Sequence, residues 1–340
     1  MGNGQSLKLA ASCALNSKFN LVPKFKFWIF LTYDTTPLLN YIGTEVPQHK
    51  FKIIRMKTSK FTNAVVIITG AASGMGQHMA VQAAQRGASV IATDVNEIGL
   101  AETQSMAKAL GFSIEIQRLD VSNKTNIDAF AQQTLPILNN RKLILINNAG
   151  IGLMSGNFND TPLEDFENLL NINLWGVIRM TKAFYPYLIA QNDGHIVNIS
   201  SVFGLGGVMF QSAYCTAKFG VRGFTETLRM ELIETNIHTT SVHPGGIKTN
   251  IVRNSTLKGQ FATQEMLAQS VEQFEKNAPT TAESAAQQIL NAVENNKKRL
   301  LIGNDAKLID LIIRLLPVSF TKIFIGQMEK AFTNPYKNKG

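Results

Sequence analysis

The chain has 340 residues, 45% of them hydrophobic and only 17% charged, which is enough apolar material for a sizeable core and argues against bulk disorder. Its net charge of +9 resembles a nucleic-acid or membrane signal. Residues 1–60, however, carry nine Lys/Arg against Asp34 and Glu45, a net of +7, which leaves +2 to residues 61–340. The body of the protein therefore lacks the basic face that nucleic acid requires. Two cysteines, Cys13 and Cys215, build neither a disulfide framework nor a zinc site, so a reducing, cytoplasmic compartment is expected.

Residues 1–55 mix Lys, Phe, Asn and Pro with little periodicity. Their apolar knot, Phe27–Leu31, is far below the ~20 residues a membrane span needs. Met1–Ser6 fits the myristoylation pattern, which arises often by chance. The better reading makes Met56 the natural start and 1–55 an extension, because the first strand begins about eight residues after Met56.

From Asn63 the texture changes. Ala64–Thr69 is a β-branched apolar run that predicts a strand, followed by a Gly-rich turn and helical spacing over Gln77–Arg86. Strand Ser89–Thr93 ends in Asp94, helix Glu97–Leu110 follows, and strand Ser113–Leu119 ends in Asp120-Val121. Helix 124–138, strand Leu143–Asn147, a long helix over Leu163–Ala190 and strand His195–Ile199 come next. Helix 213–235 leads to strand His238–Val242 and Pro244-Gly245. Residues 250–275 read as a polar flap, Glu283–Asn295 as a helix and Arg299–Ile302 as a closing strand. Apolar strands alternating with helices predict one doubly wound parallel α/β domain over 56–305, with an apolar helical tail over 306–340.

The turn Thr69-Gly70-Ala71-Ala72-Ser73-Gly74-Met75-Gly76 lets the backbone turn tightly and lets a pyrophosphate approach the following helix, whose free N–H groups receive negative charge. Asp94, eighteen residues beyond Gly76 at a strand end, suits ribose hydroxyls and repels a 2′-phosphate. No Arg or Lys follows it at Val95 and Asn96, which favours NAD over NADP. Tyr214 and Lys218 stand at i and i+4 on a helix, so the ammonium is expected to lower a phenol that otherwise titrates near ~10. Ser201, thirteen residues upstream at a strand end, could hold a substrate oxygen.

These motifs, in this order, resemble the short-chain dehydrogenase/reductase family across about residues 60–303. Thr69–Gly76 is similar to its TGxxxGxG cofactor loop, Asp120-Val121 to the pair beside the adenine, and Asn147-Asn148-Ala149-Gly150 to its NNAG sequence. Asn173, Ser201, Tyr214 and Lys218 match its catalytic residues, and Pro244-Gly245 with Ile247 and Thr249 its nicotinamide-end motif. The resemblance implies Tyr214 as acid/base, Ser201 on the substrate oxygen, Lys218 on the nicotinamide ribose, Asn173 holding a relay water and Thr249 fixing the carboxamide. It also implies a homo-oligomer, commonly through the long helix. No metal enters this scheme.

The wall after Ser201 (Val202, Phe203, Leu205, Val208, Met209, Phe210) and the apolar tail predict a greasy pocket for a lipophilic alcohol or its ketone or aldehyde. The tail is expected to pack on the body or on a partner subunit, with peripheral membrane contact as the alternative. His195 and His243 read as structural, and Trp175 as core. Rival readings are a 3-oxoacyl thioester reductase, against which Asp94 speaks, and a nicotinamide sensor without turnover, which would not need the complete catalytic set. A scaffold tethered by residues 1–55 has only that extension behind it.

Overall fold

A sheet whose strands are apolar on both faces must be covered on both, and the computed structural model of the protein builds that arrangement. It describes residues 59–154, 157–253, 255–257, 268, 271–272 and 278–323. The extension 1–55, most of the flap expected over 250–275 and the tail from 324 onward lie outside the described residues. In chain order the main elements are β1 (Val65–Thr69), α1 (Gly74–Gln85), β2 (Ser89–Asp94), α2 (Glu97–Ala109), β3 (Glu115–Arg118), α3 (Lys124–Leu138) and β4 (Leu143–Asn147). Then come α4 (Leu163–Leu170), α5 (Gly176–Gln191), β5 (Gly194–Ile199), α6 (Ser212–Glu231), β6 (Ile237–Pro244), α7 (Ala282–Glu294), β7 (Arg299–Ile302) and α8 (Asn304–Leu315).

The seven strands form one parallel sheet in the order β3-β2-β1-β4-β5-β6-β7. Successive strand residues point to opposite faces, so β1 sends Val66 and Ile68 into one apolar layer and Val65 and Ile67 into the other. The first layer is closed by Met79, Ala80 and Ala83 of α1 with Ile289, Leu290 and Val293 of α7. The second is closed by Phe130 of α3 against Phe184 of α5, their rings edge to face at 5.8 Å. Strand order reverses between β1 and β4, which opens a crevice at their carboxyl ends.

Three local expectations change. The strand expected over 113–119 pairs only over Glu115–Arg118; among the described residues β3 is an edge strand that pairs with β2 alone. The long helix expected over 163–190 is α4 and α5 joined by a π turn, Asn171–Trp175, whose wider spacing rotates Asn173 into the interior. Trp175 is not core: it is 49% exposed, with the Arg179 guanidinium 5.8 Å from its ring centre.

The described part of the tail lies on the body. Arg299 of β7 grips Asp310 of α8 through both guanidinium NH₂ groups, and Arg314 adds a third contact at 3.0 Å. At the start of α8, Asp305 Oδ2 accepts the Gly246 N–H at 2.6 Å. A Cβ on Gly206 would lie 2.5 Å from Ile313 Cδ1, so the absent side chain lets the tail lie directly on the loop after Ser201. Leu308, Leu311 and Leu315 remain exposed. Among the described residues no helix is long and apolar enough to cross a membrane.

Candidate active site

The crevice between β1 and β4 is a cleft of about 350 Å³. The glycine loop forms its floor because side chains are excluded there. Gly70 adopts φ +68, and a Cβ on it would lie 2.7 Å from Ala149 Cα. A Cβ on Gly76 would lie 2.0 Å from the Gly70 oxygen. Asn148 locks the turn from β4, its Nδ2 donating to the carbonyls of Thr69 and Gly70 at 3.0 and 2.9 Å. No side chain caps the start of α1 and no acid stands in its first turn, so its first N–H groups face the cleft without a protein anion.

Of the residues expected to hold the cofactor, Gly70, Ser73, Gly74, Met75, Asp94, Asp120, Val121, Asn148, Ala149, Gly150 and Thr249 line this one cleft. Gly76 shapes the loop from beneath. Asp94 is fixed at both oxygens, Oδ2 accepting from the Ala72 N–H and Oδ1 from the Asn96 N–H, each at 3.0 Å. Its register partner on β3 is Arg118, which does not line the cleft. Asp120 Oδ1 likewise holds the N–H and hydroxyl of Ser122. Ile247 differs: it is 3% exposed, packs in the first apolar layer, pairs with Thr280 and does not line the cleft. Val95, Asn96, Ile151 and Ile251 line the cleft too, apolar and amide residues with no motif to mark them.

The four catalytic candidates converge. Asn173 is fully buried; its Nδ2 donates to the Ile151 carbonyl at 2.9 Å and its Oδ1 accepts the Ile151 N–H at 2.8 Å. The expected water on this residue therefore cannot depend on a free side-chain amide. A Cβ on Gly150 would lie 3.3 Å from Asn173 Oδ1 and 3.6 Å from Lys218 Nζ, so amide and ammonium meet the cleft at this glycine. Lys218 Nζ donates to the Ile199 carbonyl at 3.0 Å, and the Ser200 hydroxyl donates back to the Lys218 carbonyl at 2.8 Å. Ser201 Oγ accepts the Phe203 N–H at 3.1 Å and shares a hydrogen bond with the Tyr214 phenol.

The electrostatics depart from expectation. Burial pushes the Tyr214 phenol up to about 12, against the pull of its hydrogen bond with Ser201. Burial also brings Lys218 down to about 8. The ammonium lies over the tyrosine ring, 5.5 Å from its centre, so desolvation of the phenolate prevails over any cationic stabilisation. The i, i+4 spacing placed the pair on one helix face without setting the distance to the hydroxyl.

Two contributors carried no such signal. His243 is buried and bonds the Ser201 carbonyl through Nδ1, a role its position beside Pro244 does not announce. Asp305, beyond the last motif, holds the glycine pair after Pro244: a Cβ on Gly245 would lie 2.1 Å from its carboxylate.

Comparison with known proteins agrees with this geometry. A family model described as short chain dehydrogenase matches residues 64–259. The chain is 39% identical over 277 residues to the protein SadH of Mycobacterium tuberculosis, covering 81% of this chain and 98% of that one. Among solved structures, a short-chain dehydrogenase/reductase from Burkholderia phymatum in complex with NAD matches with a TM-score of 0.68 and 26% identity, covering 78% of this chain and 96% of the other. A serine dehydrogenase complexed with NADP+ matches with a TM-score of 0.61 and 28% identity, covering 70% and 94%.

Proposed function

The chain belongs to the short-chain dehydrogenase/reductase family, and from that premise we propose that it interconverts a lipophilic alcohol and its ketone or aldehyde, with NAD as the preferred cofactor. Its class, an oxidoreductase acting with NAD or NADP, follows from the family and its relatives. The observation that carries the finer reading is the meeting of Ser201, Tyr214 and Lys218 between the nucleotide cleft and an apolar chamber lined by Val202, Phe203 and Val208.

The cleft residues suit a dinucleotide: the start of α1 for the pyrophosphate, Asp94 for the adenosine ribose, Asp120 and Val121 beside the adenine. Thr249 is assigned to the carboxamide end. The bound nicotinamide supplies the acceptor or donor of hydride. Tyr214 takes the proton of the substrate hydroxyl in oxidation and returns it to the oxygen in reduction. Ser201 hydrogen-bonds that oxygen and steadies its developing charge. Lys218 is assigned to the nicotinamide ribose, from the edge of the cleft beside Gly150. Asn173 positions Ile151 and the cleft wall by its two amide bonds. NAD is favoured because Asp94 presents a fixed carboxylate where a 2′-phosphate would add like charge. A homo-oligomer, which the family resemblance implies, is part of this reading.

The test follows nicotinamide reduction by the full chain with NAD and with NADP across alcohols of rising apolar size, beside Tyr214→Phe. Turnover that grows with apolar size, prefers NAD and falls at least a thousandfold in the variant is expected. Because Tyr214 stands at about 12, alcohol oxidation should climb with pH through the neutral range while carbonyl reduction, which needs the protonated phenol, stays flat. A variant retaining most of the rate would sink the assignment of Tyr214.

A further inference from the structure

The acid that holds the loop after β6 comes from the tail. Asp305 stands in the first turn of α8, beyond residues 64–259, the span that the family model matches. No side chain caps α8, and the Asp305 carboxylate turns away from its own helix. Its Oδ2 accepts the Gly246 N–H at 2.6 Å, short as charge-assisted bonds are. Two glycines shape its seat. A Cβ on Gly245 or on Gly303 would lie 2.1 Å from the carboxylate, and Gly303 also adopts φ +98, a conformation glycine takes without strain. The Gly245 N–H is held by the Ile302 carbonyl at 2.9 Å. Both amides of the glycine pair are therefore fixed by β7 and the helix that follows it.

The same loop enters the cofactor cleft within three residues of Gly246. Ile247 and Lys248 pair with Thr280 and Thr281, and Thr249, Asn250 and Ile251 line the cleft. A Cβ on Gly74 would lie 3.3 Å from Thr249 Cγ2, so the Thr249 methyl closes over the glycine loop. Asp305 itself does not line the cleft.

We propose that Asp305 is a positioning residue for the cofactor: by holding the Gly246 N–H it fixes the loop that carries Thr249 into the cleft, so that the start of the tail sets affinity for the nicotinamide half of NAD without touching it. This rests on the assignment of Thr249 to the carboxamide end made above. Attachment of α8 has other means, since Arg299 grips Asp310 and Ile313 lies on Gly206. What the Asp305 contact adds lies at its other end, a fixed amide at the root of the cleft loop.

The test sets NAD against ADP-ribose, which carries the adenosine and both phosphates but no nicotinamide, by titration calorimetry on the full chain. Asp305→Ala removes the acceptor, and Asp305→Ser, one bond too short to reach Gly246, is a second truncation. Asp305→Asn keeps an oxygen that can accept the Gly246 N–H. Asp310→Asn weakens the grip of Arg299 on α8 and leaves Gly246 alone. In both truncations NAD binding should weaken about tenfold, the order of one lost charge-assisted hydrogen bond, with ADP-ribose affinity kept within about twofold. Asp305→Asn should restore most of the NAD affinity. Asp310→Asn should lower Tm and keep the ratio of the two affinities. Thr249→Ala should shift that ratio as Asp305→Ala does, and the double variant no further, because the two residues act in series. A ratio that moves in Asp305→Ala but not in Thr249→Ala removes the carboxamide assignment and leaves Asp305 positioning the loop. A ratio unchanged in both truncations, or NAD and ADP-ribose weakened alike, overturns the positioning role whatever Thr249→Ala shows.

Discussion

His243 Nδ1 lies 3.1 Å from the carbonyl oxygen of Ser201, while its Nε2 lies 2.9 Å from the Ser241 hydroxyl. The neutral ring with its proton on Nδ1 satisfies both, donating to Ser201 and accepting from Ser241. The Gly204 N–H reaches the same carbonyl at 3.0 Å, so the peptide that carries the Ser201 hydroxyl is held from two sides.

His243 therefore acts on turnover through Ser201. The amide of His243→Asn can place a donor near Nδ1, whereas His243→Leu cannot. His243→Leu should lower kcat about tenfold, since misplacing a reacting group by ~1 Å costs up to about a hundredfold. His243→Asn should restore most of the rate, with NAD affinity unchanged in both. Steady-state kinetics and a thermal melt together decide: a lower Tm in His243→Leu with an unchanged kcat would leave the residue a purely structural role.

Burial also pushes His243 from its usual 6.5 down to about 4. Between these values the unfolded chain binds a proton that the folded chain refuses, so stability falls as pH drops from about 6.5 to about 4 and levels off below. The gap corresponds to about 3 kcal/mol. Fully buried His195, also pushed well down by burial, adds to the same acid limb. Melting temperature measured against pH should show a shallower acid limb in His243→Asn than in the wild type. Identical limbs would mean that the ring is solvated or charged in the folded chain.

Much of this architecture is written locally. The alternation within Val65–Thr69, the glycines from Gly70 to Gly76 and the Tyr214/Lys218 spacing each constrain only their own few residues, and each is found where the sequence places it. What was illegible depends on tertiary closure. The π turn leaves no mark in periodicity, because Asn171–Trp175 differs from helix only in which backbone groups pair. The raised Tyr214 phenol reflects burial, which spacing cannot report. Packing of the tail is expected from its apolar run, but its points of attachment are not legible, since Asp305 and Gly246 stand 59 residues apart and meet only once β7 has joined the sheet.

Asp94 has two tasks, holding the Ala72 N–H and facing the cleft. Asp94→Asn keeps one acceptor oxygen and removes the charge. NAD binding should weaken about tenfold, in line with the loss of a charge-assisted hydrogen bond, and discrimination against NADP should narrow. Dissociation constants for both cofactors, read by quenching of protein fluorescence, check this. Unchanged NAD affinity with NADP still rejected would move the source of cofactor choice away from Asp94.

Asn173 gives the sharpest separation between stability and chemistry. Its amide satisfies both backbone groups of Ile151 from a position with no solvent access. Asn173→Ala leaves that N–H and carbonyl without their partners, a loss of about 2–6 kcal/mol at ~1–3 kcal/mol for each unsatisfied group. In a domain of this size, at ~2–4 °C per kcal/mol, that lowers Tm by about 4–24 °C. Asn173→Asp keeps the acceptor for the Ile151 N–H but turns a carboxylate oxygen toward the Ile151 carbonyl, so it should be at least as destabilising. Activity should fall in both variants in step with the displaced Ile151 wall, seen as a raised KM for NAD alongside a lower kcat. If Asn173→Ala instead kept its Tm and lost only kcat, the residue would be acting on proton transfer and not through Ile151.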